Sequence, residues 1–361
     1  MAAQKSILIC PLDWGLGHAS RLVPIIKRLD ACGHRVVVAA DGAGFKFLKD
    51  YFPHLELIKF PGFKPQYSRS NSQVFQMLRS VPKALKSFQE DHHFIEKIII
   101  NQKIDGLISD NRFGAYTNIV PSVFITHQLH IRIPSCWLLL KPLVDTINKR
   151  YIKRFDQLWI PDSLNEPRLS GKLSFPPFQN INTYYIGLQS RFSLPNQNPE
   201  KDIDMLFLLS GPEPQRSLLE EKIMAQSAQI PASFCLLRGV PGAKSAAYQL
   251  NKNLLAYDHA DDQTFLNLIQ RAKIIVARAG YSSIMDLIAL DRSAWLVPTP
   301  GQTEQEYLAA YLNKKQWFKT INQQQFDLYK ILNSSHSKNF SFSFIPKPTN
   351  FEVIDDWAAS L

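Results

Sequence analysis

The stretch "ARAGYSSIMDLIALDRSAWLVPTPGQTEQEYLAAYL", Ala277 to Leu312, holds two turns of one construction. An apolar run ends at Arg278-Ala279-Gly280, and a helical pattern begins near Ser282 with Asp286 in an early turn. A second run, Ala294–Val297, ends at Pro298-Thr299-Pro300-Gly301, and a second helical pattern opens with Thr303-Glu304-Gln305-Glu306. Strand, turn, helix, strand, loop, helix is the unit of a parallel α/β sheet. It sets two helix amino-termini at one end of the sheet, an arrangement suited to a diphosphate. Each feature also has a local explanation: Asp286 complements its helix dipole, and Thr303 with Glu306 fits a capping box. Only their joint spacing argues for a ligand.

The same alternation extends outward. Upstream it predicts strands at Met205–Leu209, Ser233–Leu237, Leu254–Tyr257 and Ile274–Ala277, with helices at Ser217–Gln226 and Thr264–Ala272. The first half predicts strands at Ser6–Cys10, Arg35–Ala40, Leu55–Phe60, Asp105–Ser109, Ser122–Ile125 and Gln157–Ile160. Its helices are expected at Arg21–Ala31, Asn71–Ser87 and Phe94–Asn101. Between the halves, "SLPNQNPEKD" (Ser193 to Asp202) keeps no apolar period and reads as a connection. The expected organisation is an amino-terminal domain over 1–187, a linker over 188–202 and a carboxy-terminal domain over 203–340. In the tail, 341–361, Phe351, Ile354 and Trp357 fall at helical spacing and are expected to pack back on the amino-terminal domain. The chain has 361 residues, enough for two such domains, and 45% of them are hydrophobic, which excludes disorder.

No apolar run approaches the roughly 18 to 20 residues of a membrane span. The first one meets Asp13 and a glycine turn too early for a signal peptide. Four cysteines, Cys10, Cys32, Cys136 and Cys235, lie far apart and read as buried reduced thiols of a cytoplasmic protein. Charge is unevenly divided. Residues 1–187 hold 24 Lys and Arg against 14 Asp and Glu, the whole of the +10 excess, while residues 188–361 hold 17 of each. Such a half attracts a phosphorylated ligand or an anionic membrane surface. Nucleic acid is not expected, because no zinc-finger spacing, aromatic RNA-binding strand or helix-turn-helix accompanies the charge.

The basic half opens with "LDWGLGHASRLVP" (Leu12 to Pro24) directly after its first strand. Pro24 fits best in a first helical turn, which places the helix start near Ser20 or Arg21 with Ser20 as N-cap. Gly15 and Gly17 then form the turn, and His18 sits beside the positive end of the helix, where a neutral ring able to accept a proton is favoured. Read as GxGxxS with Asp41 closing the second strand, the loop also half-matches a dinucleotide fingerprint.

Taken together, Arg278, Gly280, Asp286, Pro298 and Gln305-Glu306 resemble the donor-binding half of GT-B glycosyltransferases, most nearly the MurG type that uses UDP-N-acetylglucosamine. The resemblance implies two Rossmann-like parallel-sheet domains facing across a cleft. It assigns the ribose hydroxyls to Asp286 and the donor sugar to Gln305 and Glu306. The segment "HADDQTF" (His259 to Phe265), with Asp262, resembles the one that carries the uracil contacts. In the first half, the GxGH loop resembles the family's acceptor-side glycine loop, with His18 as the base. "IVPSVFITHQL" (Ile119 to Leu129) resembles the strand and turn before the acceptor cleft, which brings His127 to that side. "YIGLQSR" (Tyr185 to Arg191) resembles the stretch leading into the second domain. Where the family has a glycine-rich loop, this chain has Ser210-Gly211-Pro212-Glu213-Pro214-Gln215-Arg216. Two prolines remove amide donors there, so phosphate contact falls to Ser210, Gly211 and Arg216, with Arg238 as a further candidate.

Such a site needs no metal and no cofactor beyond the UDP-sugar substrate. The chain's Asp-x-Asp, Asp202-Ile203-Asp204, precedes its strand and faces the wrong end of the sheet. Asp110-Asn111-Arg112 follows the strand "DGLIS" and is expected to reach the acceptor. "SCWLLLKP" (Ser135 to Pro142) and "INKRYIKRF" (Ile147 to Phe155) combine an apolar run with cations. They read as core beside a solvated helix face, or as a surface resting on anionic lipid. The expected partners are a nucleotide-sugar donor and an acceptor of open identity, lipid-linked and anionic acceptors being suited to the basic half. Three other readings stay open: a nucleotide-sugar hydrolase in which His18 activates water, an NAD-dependent oxidoreductase, and a donor-binding module without catalysis.

Overall fold

The computed structural model describes residues 4–62, 73–194, 199–240, 246–334, 342 and 349–361. Parts of three expectations fall outside these residues: 195–198 of the linker, 71–72 of the first long helix, and most of 335–348. The chain divides into two compact units. One comprises Met1–Gln66, Val74–Arg191 and Phe344–Leu361, and the other Tyr67–Gln73 and Phe192–Ser343.

The amino-terminal unit runs β1 Ser6–Pro11, α1 Leu16–Ala31, β2 Arg35–Ala40, α2 Gly42–Tyr51, β3 Glu56–Lys59 and α3 Gln73–Gln102. It continues with β4 Gly106–Asp110, β5 Ser122–Ile125, a 3-10 turn over Ser135–Leu140, α4 Lys141–Ile152, β6 Gln157–Ile160 and β7 Asn182–Tyr185. Its seven strands lie in the order β3-β2-β1-β4-β5-β6-β7, and every neighbouring pair is parallel. Helices on both faces bury β1 almost completely, which is why that strand is an unbroken apolar run rather than an alternating one.

The carboxy-terminal unit begins β8 Ile203–Leu208, α5 Gln215–Ser227, β9 Phe234–Leu237, β10 Tyr248–Asn251, β11 Leu254–Tyr257, α6 Asp262–Arg271 and β12 Ala272–Ala277. It ends α7 Tyr281–Ala289, β13 Trp295–Leu296, α8 Thr303–Lys314, β14 Lys319–Thr320 and α9 Leu328–Asn333. The strand order is β10-β11-β9-β8-β12-β13-β14, parallel except for β10 against β11. A last helix, α10 Phe351–Ser360, belongs to the amino-terminal unit. Trp357 meets Trp159 of β6 edge-on at 5.6 Å, and Asp355 accepts from Arg28 Nε at 2.9 Å.

The architecture is the expected α/β one, with two parallel sheets of Rossmann-like order. In each, the strand order reverses once, between β1 and β4 and between β8 and β12. Ligands of open α/β sheets bind beyond the strands' carboxyl ends at such reversals. The loops after β1 and β4 and those after β8 and β12 are therefore the places to look for chemistry.

Two expectations about helices are corrected. The first helix starts at Leu16, not at Ser20 or Arg21, and Pro24 lies inside it. A proline there cannot donate to the Ser20 carbonyl, but nine buried residues on α1 outweigh that loss. The helices expected at 71–87 and 94–101 are one continuous α3. Its polar middle is ordinary helix surface with partners: Lys86 faces Glu90 at 3.9 Å, and His93 Nδ1 lies 3.0 Å from the Gln89 carbonyl.

The cysteine expectation holds for Cys10 and Cys235 only, since Cys32 and Cys136 are exposed. Burial pushes both inner thiols up to about 12. A thiol-exchange titration at neutral pH is thus expected to count two reactive cysteines in the native protein and four after denaturation. Fast reaction of all four would contradict the placement of β1 and β9.

Candidate active site

In the amino-terminal unit, β1 ends at Pro11 and α1 begins after Gly15, whose φ of 136° and ψ of 177° lie in a region that essentially only glycine occupies. This turn brings His18 into the first turn of α1. Its Nδ1 stands 3.3 Å from Asp110 Oδ1, at the end of β4, and the ring is one-fifth exposed. Arg21, three residues along the same helix face, donates from Nε to Asp110 Oδ2 at 2.7 Å and from Nη2 to Oδ1. The same guanidinium also stands 3.3 Å from His127 Nδ1. Asp110 is fully buried. An ionised carboxylate can only accept, so Nδ1 carries the hydrogen of this contact, and the tautomer it selects has its lone pair at Nε2.

Several expectations change here. Gly17 lies inside α1 rather than in the turn before it, and Ser20 is buried and accepts from Arg191 instead of capping the helix. Asp110 and His127, expected to reach an acceptor, are buried behind His18; Asp110 orients the ring and His127 backs Arg21. Arg112 is also buried. It pairs with Asp91 at 2.9 Å, donates to the carbonyls of Phe60 and Pro61, and stacks 3.3 Å over the Phe60 ring. Beside this cluster lies an apolar cavity lined by Leu12, Trp14, Phe88, Asn111 and Phe113. Arg21 and this cavity escaped sequence reasoning. With the helix start set at Leu16, the three-residue step from His18 to Arg21 would have exposed the first.

In the carboxy-terminal unit, Ser210 and Gly211 follow β8, and Gly211 has φ 97°, a left-handed value that favours glycine. A Cβ there would stand 3.8 Å from Thr299 Oγ1, so the loops after β8 and β13 adjoin. That hydroxyl is buried and has no hydrogen-bond partner among the described residues. Gly280 is the N-cap residue of α7 and Gln302 that of α8, and neither caps its helix with a side chain. The first turn of α7 carries no acid, whereas that of α8 carries Glu304 and Glu306, so α7 is the better anion end. Asp286, on the second turn of α7, is largely buried.

The arginines are corrections. Arg278 is turned inward, 1% exposed, and donates to the carbonyls of Gln215 at 2.6 Å and Val297 at 3.2 Å. It braces the loop rather than facing a ligand, and burial pushes the guanidinium down to about 10. Arg238 is held by Glu220 at 2.8 Å, Asp258 at 2.6 Å and the Tyr248 hydroxyl. Arg216 pairs with Glu213 and Glu220. Gln305 spends both amide atoms inside its own loop, accepting from Thr299 N at 2.9 Å and donating to Gln302. Glu306 reaches back and accepts from Gly301 N at 2.9 Å. Asp262 opens α6, whose cap is the preceding Asp261. Asp202 and Asp204 sit at the amino end of β8, paired with Arg271 and Lys273.

Comparison with known proteins bears on the fold and on the carboxy-terminal unit. Residues 233–339 match the model of the Glycosyltransferase family 28 C-terminal domain. The carboxy-terminal unit carries a glycosyltransferase domain. A Methanosarcina mazei protein described as an uncharacterized glycosyltransferase is 23% identical over 328 residues, 86% of this chain and 83% of its own. Among solved structures, Arabidopsis thaliana UGT89C1 complexed with UDP-L-rhamnose superposes with a TM-score of 0.63 at 11% identity, covering 100% of this chain and 99% of that one. Acinetobacter baumannii MurG gives a TM-score of 0.56 at 12% identity, covering 97% and 98%. The fold is that of the GT-B glycosyltransferases.

Within this GT-B fold the Asp110 cluster has a measurable electrostatic signature. Burial by itself would raise the Asp110 carboxyl, but the Arg21 charge, then the His18 ring and their hydrogen bonds, hold it below its ordinary value. A carboxyl lowered by folding stabilises the protein above its unfolded value, near 3.8, and that stabilisation is lost as pH falls through the lower folded value. Asp110→Asn removes the linkage and leaves Arg21 without its counter-ion. By urea unfolding the variant is expected to be about 3 kcal/mol less stable at neutral pH. The gap to the parent protein should narrow on acidification below about pH 4. A gap that does not change with pH would sink the assignment.

Proposed function

We propose that the protein transfers a sugar from a UDP-sugar to an acceptor hydroxyl, inverting the anomeric centre without a metal. The observation that carries this reading is the His18–Asp110 pair, set by α1 and β4 at the carboxyl end of the first sheet. His18 Nε2 takes the proton of the acceptor hydroxyl as its oxygen bonds to the anomeric carbon. The bond from that carbon to the diphosphate breaks, and UDP leaves with the electron pair. Asp110 stays ionised and steadies the imidazolium. The amide hydrogens at the start of α7, with Ser210, Gly211 and the unpartnered Thr299 hydroxyl, receive the diphosphate charge. Asp286 takes the ribose hydroxyls and Glu306 the sugar, and the MurG-like spacing of these residues favours N-acetylglucosamine or a related hexose.

On the acceptor side, the apolar cavity beside the β1 loop and the basic amino-terminal half favour an acceptor with an apolar body and an anionic group, as a lipid-linked acceptor has. The reading implies a protein of the cytoplasmic compartment that works against the inner face of a membrane. Among the described residues no helix is long and apolar enough to cross one.

The test is UDP release from a panel of nucleotide sugars, with and without candidate acceptors. Acceptor-dependent release supports transfer; equal release without acceptor assigns hydrolysis instead, and tight NAD binding without UDP-sugar turnover overturns both. The substitution His18→Gln is expected to lower kcat roughly 10²- to 10⁴-fold. UDP affinity by calorimetry should stay unchanged, because His18 belongs to the unit that does not hold the donor.

A further inference from the structure

Among the described residues three arginines are almost wholly buried: Arg21 at 2% exposure, Arg112 at 3% and Arg278 at 1%. The first two each carry a carboxylate, Asp110 and Asp91. Arg278 carries none. Among the described residues no acid pairs with it, its hydrogen bonds go to the carbonyls of Gln215 and Val297, and its Nε has no partner. A charged side chain removed from water without a counter-ion is costly, and burial acts on this guanidinium with no acid opposing it.

Nor does the carbonyl end of a helix supply the missing negative charge. Gln215 is the first residue of α5 and Val297 follows β13, so the two acceptors belong to a helix start and a strand end. Arg278 itself lies two residues before Gly280, the N-cap of α7. The cation therefore stands among amino-terminal helix ends, whose partial charge has its own sign. Three loops are joined at it: its own after β12, the one after β13 that carries Thr299, and the one before α5 that carries Ser210 and Gly211.

We propose that Arg278 selects the donor by charge without touching it. The guanidinium is a fixed cation at the root of these loops, and its counter-ion is the diphosphate received at the amino end of α7. This rests on the reading of the carboxy-terminal unit as the donor site and deepens it. The ligand chemistry it favours is a nucleoside diphosphate over a monophosphate, and either over a bare nucleoside, since at a fixed distance the attraction grows with the ligand's charge. Bracing and charge are separable roles. The loops use the two hydrogen bonds with or without a ligand, whereas the charge is matched only in the complex. The free protein thus holds an unmatched ion, and a bound anion stabilises the fold.

Two neutral variants test this, Arg278→Gln, which keeps an amide for a carbonyl, and Arg278→Met, which keeps the apolar length. The full chain and both variants are titrated with UDP, UMP and uridine by nuclear magnetic resonance, and their thermal midpoints are followed with inorganic pyrophosphate. Each variant is expected to bind UDP about tenfold more weakly than the parent, UMP by a smaller factor, and uridine equally. Pyrophosphate should raise the midpoint of the parent protein more than that of either variant. Equal losses for UDP and uridine reduce Arg278 to a brace and overturn the proposal, as does failure of both variants to fold. Unchanged UDP affinity in a variant overturns it too, and leaves the donor reading standing. A parent protein that binds neither UDP nor pyrophosphate overturns the donor reading and this inference with it.

Discussion

The Asp110 carboxylate is the point on which the amino-terminal site depends. It is fully enclosed, and a buried charge persists only where partners replace the lost water. Arg21 supplies a full counter-charge through two donors, which leaves the carboxylate ionised and able to accept from His18 as well. Both partners come from a single helix, so the pairing is set by the start of α1, and that start is set by Gly15. A backbone conformation open to glycine, a helix phase and a buried charge are thus successive conditions for one imidazole orientation. Removing Arg21 alone would leave an uncompensated anion beside the ring, so Arg21 acts on His18 through Asp110.

The second site is organised by the opposite rule. Its arginines are consumed internally: Arg278 by backbone carbonyls, Arg238 and Arg216 by carboxylates. A guanidinium buried against carbonyls ties the β12 and β13 loops to α5 more rigidly than a surface side chain would, and holds the N-terminus of α7 in a fixed direction. The start of α7, by contrast, offers backbone amides with no acid in its first turn. Dipoles locked in place need no rearrangement when negative charge develops on a leaving diphosphate. Arginines fixed against carbonyls and carboxylates leave helix amides as the donors free for that role.

Much of this was legible in the sequence, and the failures share a cause. Arg35–Ala40, Ser122–Ile125, Gln157–Ile160 and Leu254–Tyr257 are strands at the residues that apolar runs and turn signals indicate, because strand burial is a local pattern. The glycine turn before α1 and the helix that follows Gly280 were legible through the same local signals. The destinations of Asp110, Arg112, Arg238 and Arg278 were not. Each depends on a partner 19 to 89 residues away, and residue type at a strand end does not tell a ligand-facing charge from an internally paired one. The start of α1 was misplaced because an interior proline is costly in an isolated helix, and tertiary burial overrode that cost.

The exposed run at Leu138–Leu143 is the same ambiguity with the sign reversed. Periodicity reports that a helix has an apolar stripe, not what covers it. Here the opposite side of α4 already has its internal partners: Ile152 packs with Phe124 and Phe155, and Asn148 donates to the carbonyls of Gln128 and Leu129. The helix needs no further burial to hold its place, so the outward leucines contribute nothing to the unit's own core and cost solubility. Such a surface persists in a folded chain without destabilising it, so an apolar period at helical spacing does not by itself mark core.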